Sequence, residues 1–307
     1  MIRRAGKLQP YDDAKVDMRI ARFRQWSLLR VVAAMVAFAP SGSLAQDVLL
    51  ALRPHEGDTL RTHYEQKTEM RGTTRRNQAD TTMVVLTSLT MFSRVIVDES
   101  GDAGSTVTAI TDSVAIVSPY APGGAAAEAI GRALRGSRVR VRFSPQGSAT
   151  VLEGRGDLPD AIRSLASQMP AMLPLHAVAI GGSWSQSFTI PDLGQTGHGP
   201  ALVRAVYRLD SLSRGGALAF ISFRGSVHRD SVAAGPAAGS GALPPSRRFE
   251  SSGSITGTLR LDRKRGWWLD SRAAIVLRST IAPRDPRQGE PVRMQTTITQ
   301  HMWTQQR

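Results

Sequence analysis

The 307-residue chain contains no cysteine. That absence excludes disulfides, a thiolate nucleophile, cysteine-ligated zinc, iron–sulfur clusters and any lipid anchor attached through cysteine. No apolar run reaches the roughly 18 residues needed to cross a bilayer as a helix, so no transmembrane anchor is expected. Lysine is scarce: 35 of the 39 basic residues are arginine, and asparagine occurs once, at Asn77. This bias reads as the product of a GC-rich genome. The arginines are dispersed and no recognition module accompanies them, so no nucleic-acid partner is expected. Spacings that hold a metal, such as HxH, HxxxH or HExxH, are missing among the six histidines. Phosphate loops and dinucleotide fingerprints are missing too, and with them the parallel βαβ units they require. Neither cofactor nor metal is expected.

What is present begins with a divided charge. Of the formal +14, residues 1–45 contribute +5 and the remainder +9. Arg19, Arg22, Arg24 and Arg30 precede the apolar stretch Val31–Ala39, then Pro40 and the small-residue ending Ser43-Leu44-Ala45. A basic region, a short apolar core and a small-x-small ending form a secretory signal. Cleavage between Ala45 and Gln46 is expected, giving a signal peptide over 1–45 and a mature domain over 46–307. Met18 is an alternative start that gives the basic region an ordinary length. The mature protein is expected to be exported, periplasmic or extracellular.

Beyond residue 46 the dominant pattern has period two, the mark of strands with one wet face. Leu60, Thr62, Tyr64, Thr68 and Met70 alternate with Arg61, His63, Glu65, Lys67 and Glu69. Val139, Val141 and Phe143 alternate with Arg138, Arg140 and Arg142. Similar runs cover 83–97, 105–117, 149–153, 184–190, 203–209, 217–223, 255–261, 267–277 and 292–302. Two short helices are expected. One spans 125–135, with Ile130 and Leu134 on one face and Gly136 as C-cap. The other follows Asp157 as N-cap and carries Leu158, Ile162, Leu165 and Met169 at helical spacing. Residues 232–246 and 282–291 read as Pro/Gly-rich surface loops.

The fold class is mainly β: about ten strands in one long, strongly bent antiparallel sheet or open barrel, with two short helices on the concave side. Changes of apolar phase within strands, as in 105–117, indicate bulges that supply the bend. The alternative is a β-sandwich. Matching turn patterns in the two halves suggest pseudo-repeated lobes over 46–175 and 176–307.

Leu173-Pro174, Val178, Gly182, Trp184 and Pro191 form a pattern that resembles a signature recurring in exported bacterial proteins of a domain-of-unknown-function family. The opening stretch Leu52-Arg53-Pro54-His55-Glu56-Gly57-Asp58 and the late Gly257…Gly266 hairpin are similar to the same proteins. The resemblance covers most of 48–304. It implies an exported, all-β-dominated fold without an assigned activity. Many such proteins resemble lipoproteins with a lipobox cysteine, which this chain lacks.

The candidate binding residues are Trp184, Tyr207, Phe220, Phe223 and Trp267, aromatics on strands whose apolar faces should converge. They form either ordinary core or an apolar pocket beneath the bent sheet. Trp268, next to Trp267, should face the opposite way and be exposed. Asp98, Glu99 and Asp102 lie in an acidic turn with too few ligands for a dedicated calcium site. Arg155-Gly156-Asp157 is better read as a helix start than as an integrin motif. Gly181-Gly182-Ser183-Trp184-Ser185 lacks the final glycine of a nucleophile elbow, and a strand follows it. Three functions remain open at this point. The first is a non-enzymatic exported protein that binds an apolar or amphipathic, lipid-like ligand. The second is a cell-envelope interaction module using Trp268, the Arg138–Arg142 row or a sheet edge. The third is an envelope hydrolase, which needs His176, Asp192 and Ser183 to converge.

Overall fold

A computed structural model describes residues 47–76, 79–118, 121–155, 171–190, 201–229, 247–283 and 290–305. The strands, in chain order, are β1 Thr59–Arg76, β2 Ala79–Gly101, β3 Gly104–Val117, β4 Arg138–Phe143, β5 Ala149–Arg155, β6 Ser183–Ile190, β7 Ala201–Leu212, β8 Leu218–Arg229, β9 Arg247–Asp262, β10 Trp267–Pro283 and β11 Val292–Gln305. One helix, α1, spans Ala121–Leu134 between β3 and β4. All eleven strands join one antiparallel sheet in the order β5-β4-β3-β2-β1-β11-β10-β9-β8-β7-β6. The chain therefore meanders outward from β1 to one edge, passes to the other edge, and meanders back until β11 pairs with β1. The sheet is strongly bent and open, with β5 and β6 at its edges.

The expected class is the observed one, with eleven strands in place of about ten. The second helix, 157–169, and the 232–246 loop lie outside the described residues. β10 runs on through Ala282 and Pro283, where a loop was expected to have begun. α1 starts at Ala121, four residues before the expected start, and Pro122 in its first turn suits a helix N-terminus. Gly136, at φ 74°, supplies the left-handed turn that ends it, and its N–H bonds to the Thr111 carbonyl. Leu134 is buried against Val114, Leu89, Met91 and Val139, whereas Ile130 stands exposed.

Registers shift between β2 and β3 at Phe92/Ser93 and Val97/Glu99, between β7 and β8 at Leu209/Ser211, and between β9 and β10 at Trp268/Asp270. Each adds an unpaired residue that increases local twist. Gly257 marks a tight approach on β9. A Cβ there would run into the Arg272 carbonyl of the neighbouring strand and the ring of Phe223. The aromatic ring can lie flat on the sheet only because this position has no side chain.

The main core sits at one end of the sheet, beneath a strap made of residues 47–54 and 171–182. Val48 and Val178 exchange backbone hydrogen bonds of 2.8 and 3.0 Å. The Leu52 N–H donates to the Pro145 carbonyl in the β4–β5 turn, and the Arg53 N–H donates to Gly266 in the β9–β10 turn. The Met172 and Leu173 N–H groups both donate to the Gln146 carbonyl. Leu50, Leu52 and Leu173 are buried from the strap side. They pack with Val97, Val107, Leu209, Ile221, Leu261 and Trp268 from the sheet. The strap thus ties strands from both halves of the sheet to one apolar cluster.

Candidate functional site

The registers assign every strand residue to one of two faces, because directly paired residues in an antiparallel sheet point the same way. On the inner face the pairing runs Trp184, Tyr207, Phe223, Gly257, Ala273, Gln300, Gln66, Leu89 from β6 across to β2. One step toward the far end of the strands, Ile255, Ile275 and Ile298 stand in line and lead to Thr68. The next step brings Phe188, Val203 and Val227 on one side and Leu277, Thr296, Met70 and Val85 on the other. Most of these side chains are half-buried. Val203 and Val227 are buried in a second cluster, with Phe188, Ile255, Ile275 and Leu277 packed against it.

The charge distribution between faces is nearly absolute. Among the described inner-face positions from β6 to β2, charged residues stand only at strand ends: Arg229 closes β8, Arg247 opens β9 and Arg76 closes β1. Arg61, Glu65, Lys67, Glu69, Arg94, Arg260, Asp270 and Arg272 all occupy outer-face positions. In the middle of the inner face sits a neutral polar group. The Tyr64 hydroxyl donates to Gln66 Oε1 at 2.7 Å, and Gln300 Nε2 donates to the same oxygen at 3.0 Å. Gln66 Nε2 reaches Thr68 Oγ1 at 3.3 Å. Burial pushes the Tyr64 phenol up to about 12, against the opposing pull of Gln300, so it stays a neutral donor.

Three of the five expected binding aromatics come together. Trp184 stacks on Tyr207 at 5.7 Å and 11°, and Tyr207 meets Phe223 at 5.4 Å. Trp184 also donates its indole N–H to the Met172 carbonyl at 2.9 Å, which anchors it to the strap. The other two do not join them. Phe220 lies on the outer face opposite Arg260, 37% exposed, because it stands three residues from inner-facing Phe223 on the same strand and successive side chains alternate faces. Trp267 is buried at the β9–β10 turn, edge-on to Phe143 at 5.6 Å.

Trp268 is also buried, at 5% exposure, which corrects its expected surface position. The register shift between Trp268 and Asp270 leaves Trp268 opposite inner-facing Leu261, so adjacent tryptophans both enter the core. In the arginine row, Arg140 is spent on Asp98 at 3.5 Å and Glu99 at 3.2 Å. Asp102 pairs with Arg53 instead, so the acidic turn points its carboxylates at different arginines. Among the described residues no group of three possible ligands could hold a metal ion. His176 is exposed on the strap and Ser183 is exposed on β6, while Asp192 lies outside the described residues.

The outer face holds an arrangement that sequence spacing did not reveal. His63 is stacked between Phe92, at 4.0 Å, and Trp303, at 3.9 Å; Trp303 in turn lies 4.4 Å from His301. His301 Nε2 is 2.9 Å from Asp270 Oδ2, and Arg272 Nε is 3.3 Å from Asp270 Oδ1. The alternation puts His63 on the polar face of its strand, and His301 holds the same phase on the last one. Cross-strand register makes them neighbours through Trp303, although 238 positions separate them in sequence. A depression of about 610 Å³ lies beside this cluster and is lined by Glu65, Lys67, Arg272, Thr299 and His301 among others. It is therefore on the polar face, not beneath the aromatics. The imidazole of His301 has a carboxylate and a guanidinium as partners, and no serine lines the depression.

No family model matches the chain, and no curated protein matches it. Several solved structures match it loosely. One is the outer membrane protein OprG from Pseudomonas aeruginosa, at 6% identity over 83% of this chain and 99% of that one, with a TM-score of 0.24. Another is DynF from the dynemicin biosynthesis pathway of Micromonospora chersina, at 10% identity over 85% and 86%, TM-score 0.22. A third is an outer membrane lipoprotein-sorting protein domain from Vibrio parahaemolyticus, at 12% identity over 79% and 83%, TM-score 0.16. Superpositions this loose carry no argument about function.

Proposed function

We propose that the protein is an exported, non-catalytic binding protein that holds an apolar or amphipathic, lipid-like ligand on the inner face of its bent sheet. The observation that supports this is the sorting of charge. A two-faced sheet with a charged outer face and an uncharged, half-buried inner face offers a large apolar surface where charged ligands gain nothing. The stack of Trp184, Tyr207 and Phe223 forms the floor at the strap end, and Ile255, Ile275, Ile298, Leu277 and Phe188 extend it along the strands. Export rests on the signal pattern of residues 1–45, and the family resemblance at 173–191 agrees with it. The interaction-module reading loses one of its three elements with the burial of Trp268 and keeps the Arg138–Arg142 row and the sheet edges.

Native mass spectrometry of protein purified from its own host tests the proposal. A mass excess that disappears on organic extraction is expected. A clean unliganded mass, together with no uptake of lysolipid or fatty-acid probes, would overturn it.

A further inference from the structure

We propose that the ligand buries an uncharged hydrogen-bonding group, a hydroxyl, ester or amide, against Tyr64, Gln66 and Gln300; this rests on the carrier reading above. Gln66 and Gln300 pair directly across β1 and β11, the two strands that join the halves of the sheet. Along their cross-strand line stand Leu89 and Ala273, and the next line carries Ile275, Ile298 and Thr68. A polar cluster set into an apolar surface is costly unless it is satisfied. The bonds of 2.7, 3.0 and 3.3 Å satisfy it internally. They use only part of the capacity of two carboxamides, each of which has two N–H donors and an oxygen with two lone pairs. The cluster can therefore both donate and accept, which suits a hydroxyl or an ester.

It does not suit a carboxylate or a phosphate. The cations at described inner-face positions stand at strand ends, and the one fewest residues from the cluster's line is Arg229, six residues farther along β8 than Phe223. At the rise of a strand that is about 20 Å along the sheet from the line that contains Gln66 and Gln300. An anion placed at the cluster would lose its hydration without a counter-charge, a penalty that a neutral group does not carry. The glutamines thus select for a neutral amphiphile, such as a monoacylglycerol, over the corresponding fatty-acid anion.

The test is displacement of the neutral dye Nile red from the full chain by 1-monooleoylglycerol and by oleate at pH 8, each below its aggregation concentration. Monooleoylglycerol is expected to displace the dye at a concentration at least about tenfold lower. The Gln66→Leu/Gln300→Leu double variant should keep dye binding and reduce that preference below about threefold. Gln300→Leu alone serves if the double variant has a lowered melting temperature. Oleate binding as tightly as the glyceride would overturn the proposal, as would a preference that survives loss of both glutamines. Tighter oleate binding that Arg229→Ala abolishes would also overturn it, by placing the head group at the end of β8. Failure of the dye and both lipids to bind overturns the carrier reading itself, a result distinct from binding without preference.

Discussion

Trp184 shows how one side chain can belong to two structures at once. Its indole N–H holds the strap at Met172 while its ring stacks on Tyr207. Trp184→Ala removes ring burial and a hydrogen bond together. It should cost about 3 kcal/mol, the low end for a large-to-small aromatic change because the ring is half-buried. Urea denaturation checks this, and a loss under about 1 kcal/mol would make the tryptophan a surface residue in energetic terms. The tyrosines give a second residue-scale expectation. Burial raises the phenols of Tyr64 and Tyr207 from 10.0 to about 12. The unfolded chain then loses these protons first, so their contribution is intact below about pH 10 and is lost as pH rises through about 12. Tyr64→Phe should flatten the fall in stability over that window. Denaturation midpoints stepped from pH 9 to 12 would show it, and parallel curves for the two proteins would contradict it.

At the scale of elements, β9 and its neighbours govern the inner surface. Gly257 lets the Phe223 ring lie across β9, and the register shift at Leu269 turns Trp268 inward. Gly257→Val should force Phe223 off the sheet, destabilising by about 1–3 kcal/mol. It should also lower Nile red affinity, since the ring forms part of the proposed floor. Dye titration beside a thermal melt separates the two effects; unchanged affinity would place Phe223 outside the binding surface. Asp262 fixes the adjacent turn by accepting the Lys264 and Arg265 N–H groups at 3.0 Å each. Gly266, at φ 61°, then passes so close to Arg53 that a side chain there would meet the strap backbone.

For the whole molecule the strap is decisive. β5 and β6 are sheet edges, and the route between them is residues 156–182. Its described part, 171–182, bonds to the β4–β5 turn through Gln146 and to β6 through Trp184. Leu173 is fully buried where these contacts meet. Leu173→Ala should cost about 2–5 kcal/mol. It should also raise proteolytic nicking within 171–182 before global unfolding, because the local opening energy falls with the packing. Limited proteolysis followed by mass mapping is the measurement; cleavage confined to other segments would show that the strap is held independently of Leu173.

The alternation of Leu60, Thr62, Tyr64 against Arg61, His63, Glu65 by itself determined the strands, the two faces and the bent-sheet class. A period of two translates directly into which way a side chain points. It also separated charge from the inner face, since every arginine in the runs 138–142 and 204–208 falls on the wet phase. Tertiary structure decided what depends on pairing between distant segments. A single-residue register shift puts Trp268 in the core, and no local pattern announces where it falls. Only the pairing of β1 with β11 brings Gln66 beside Gln300 and, through Trp303, His63 near His301. Neighbours on adjacent strands are set by chain topology, and the interval that separates them in sequence carries no trace of it.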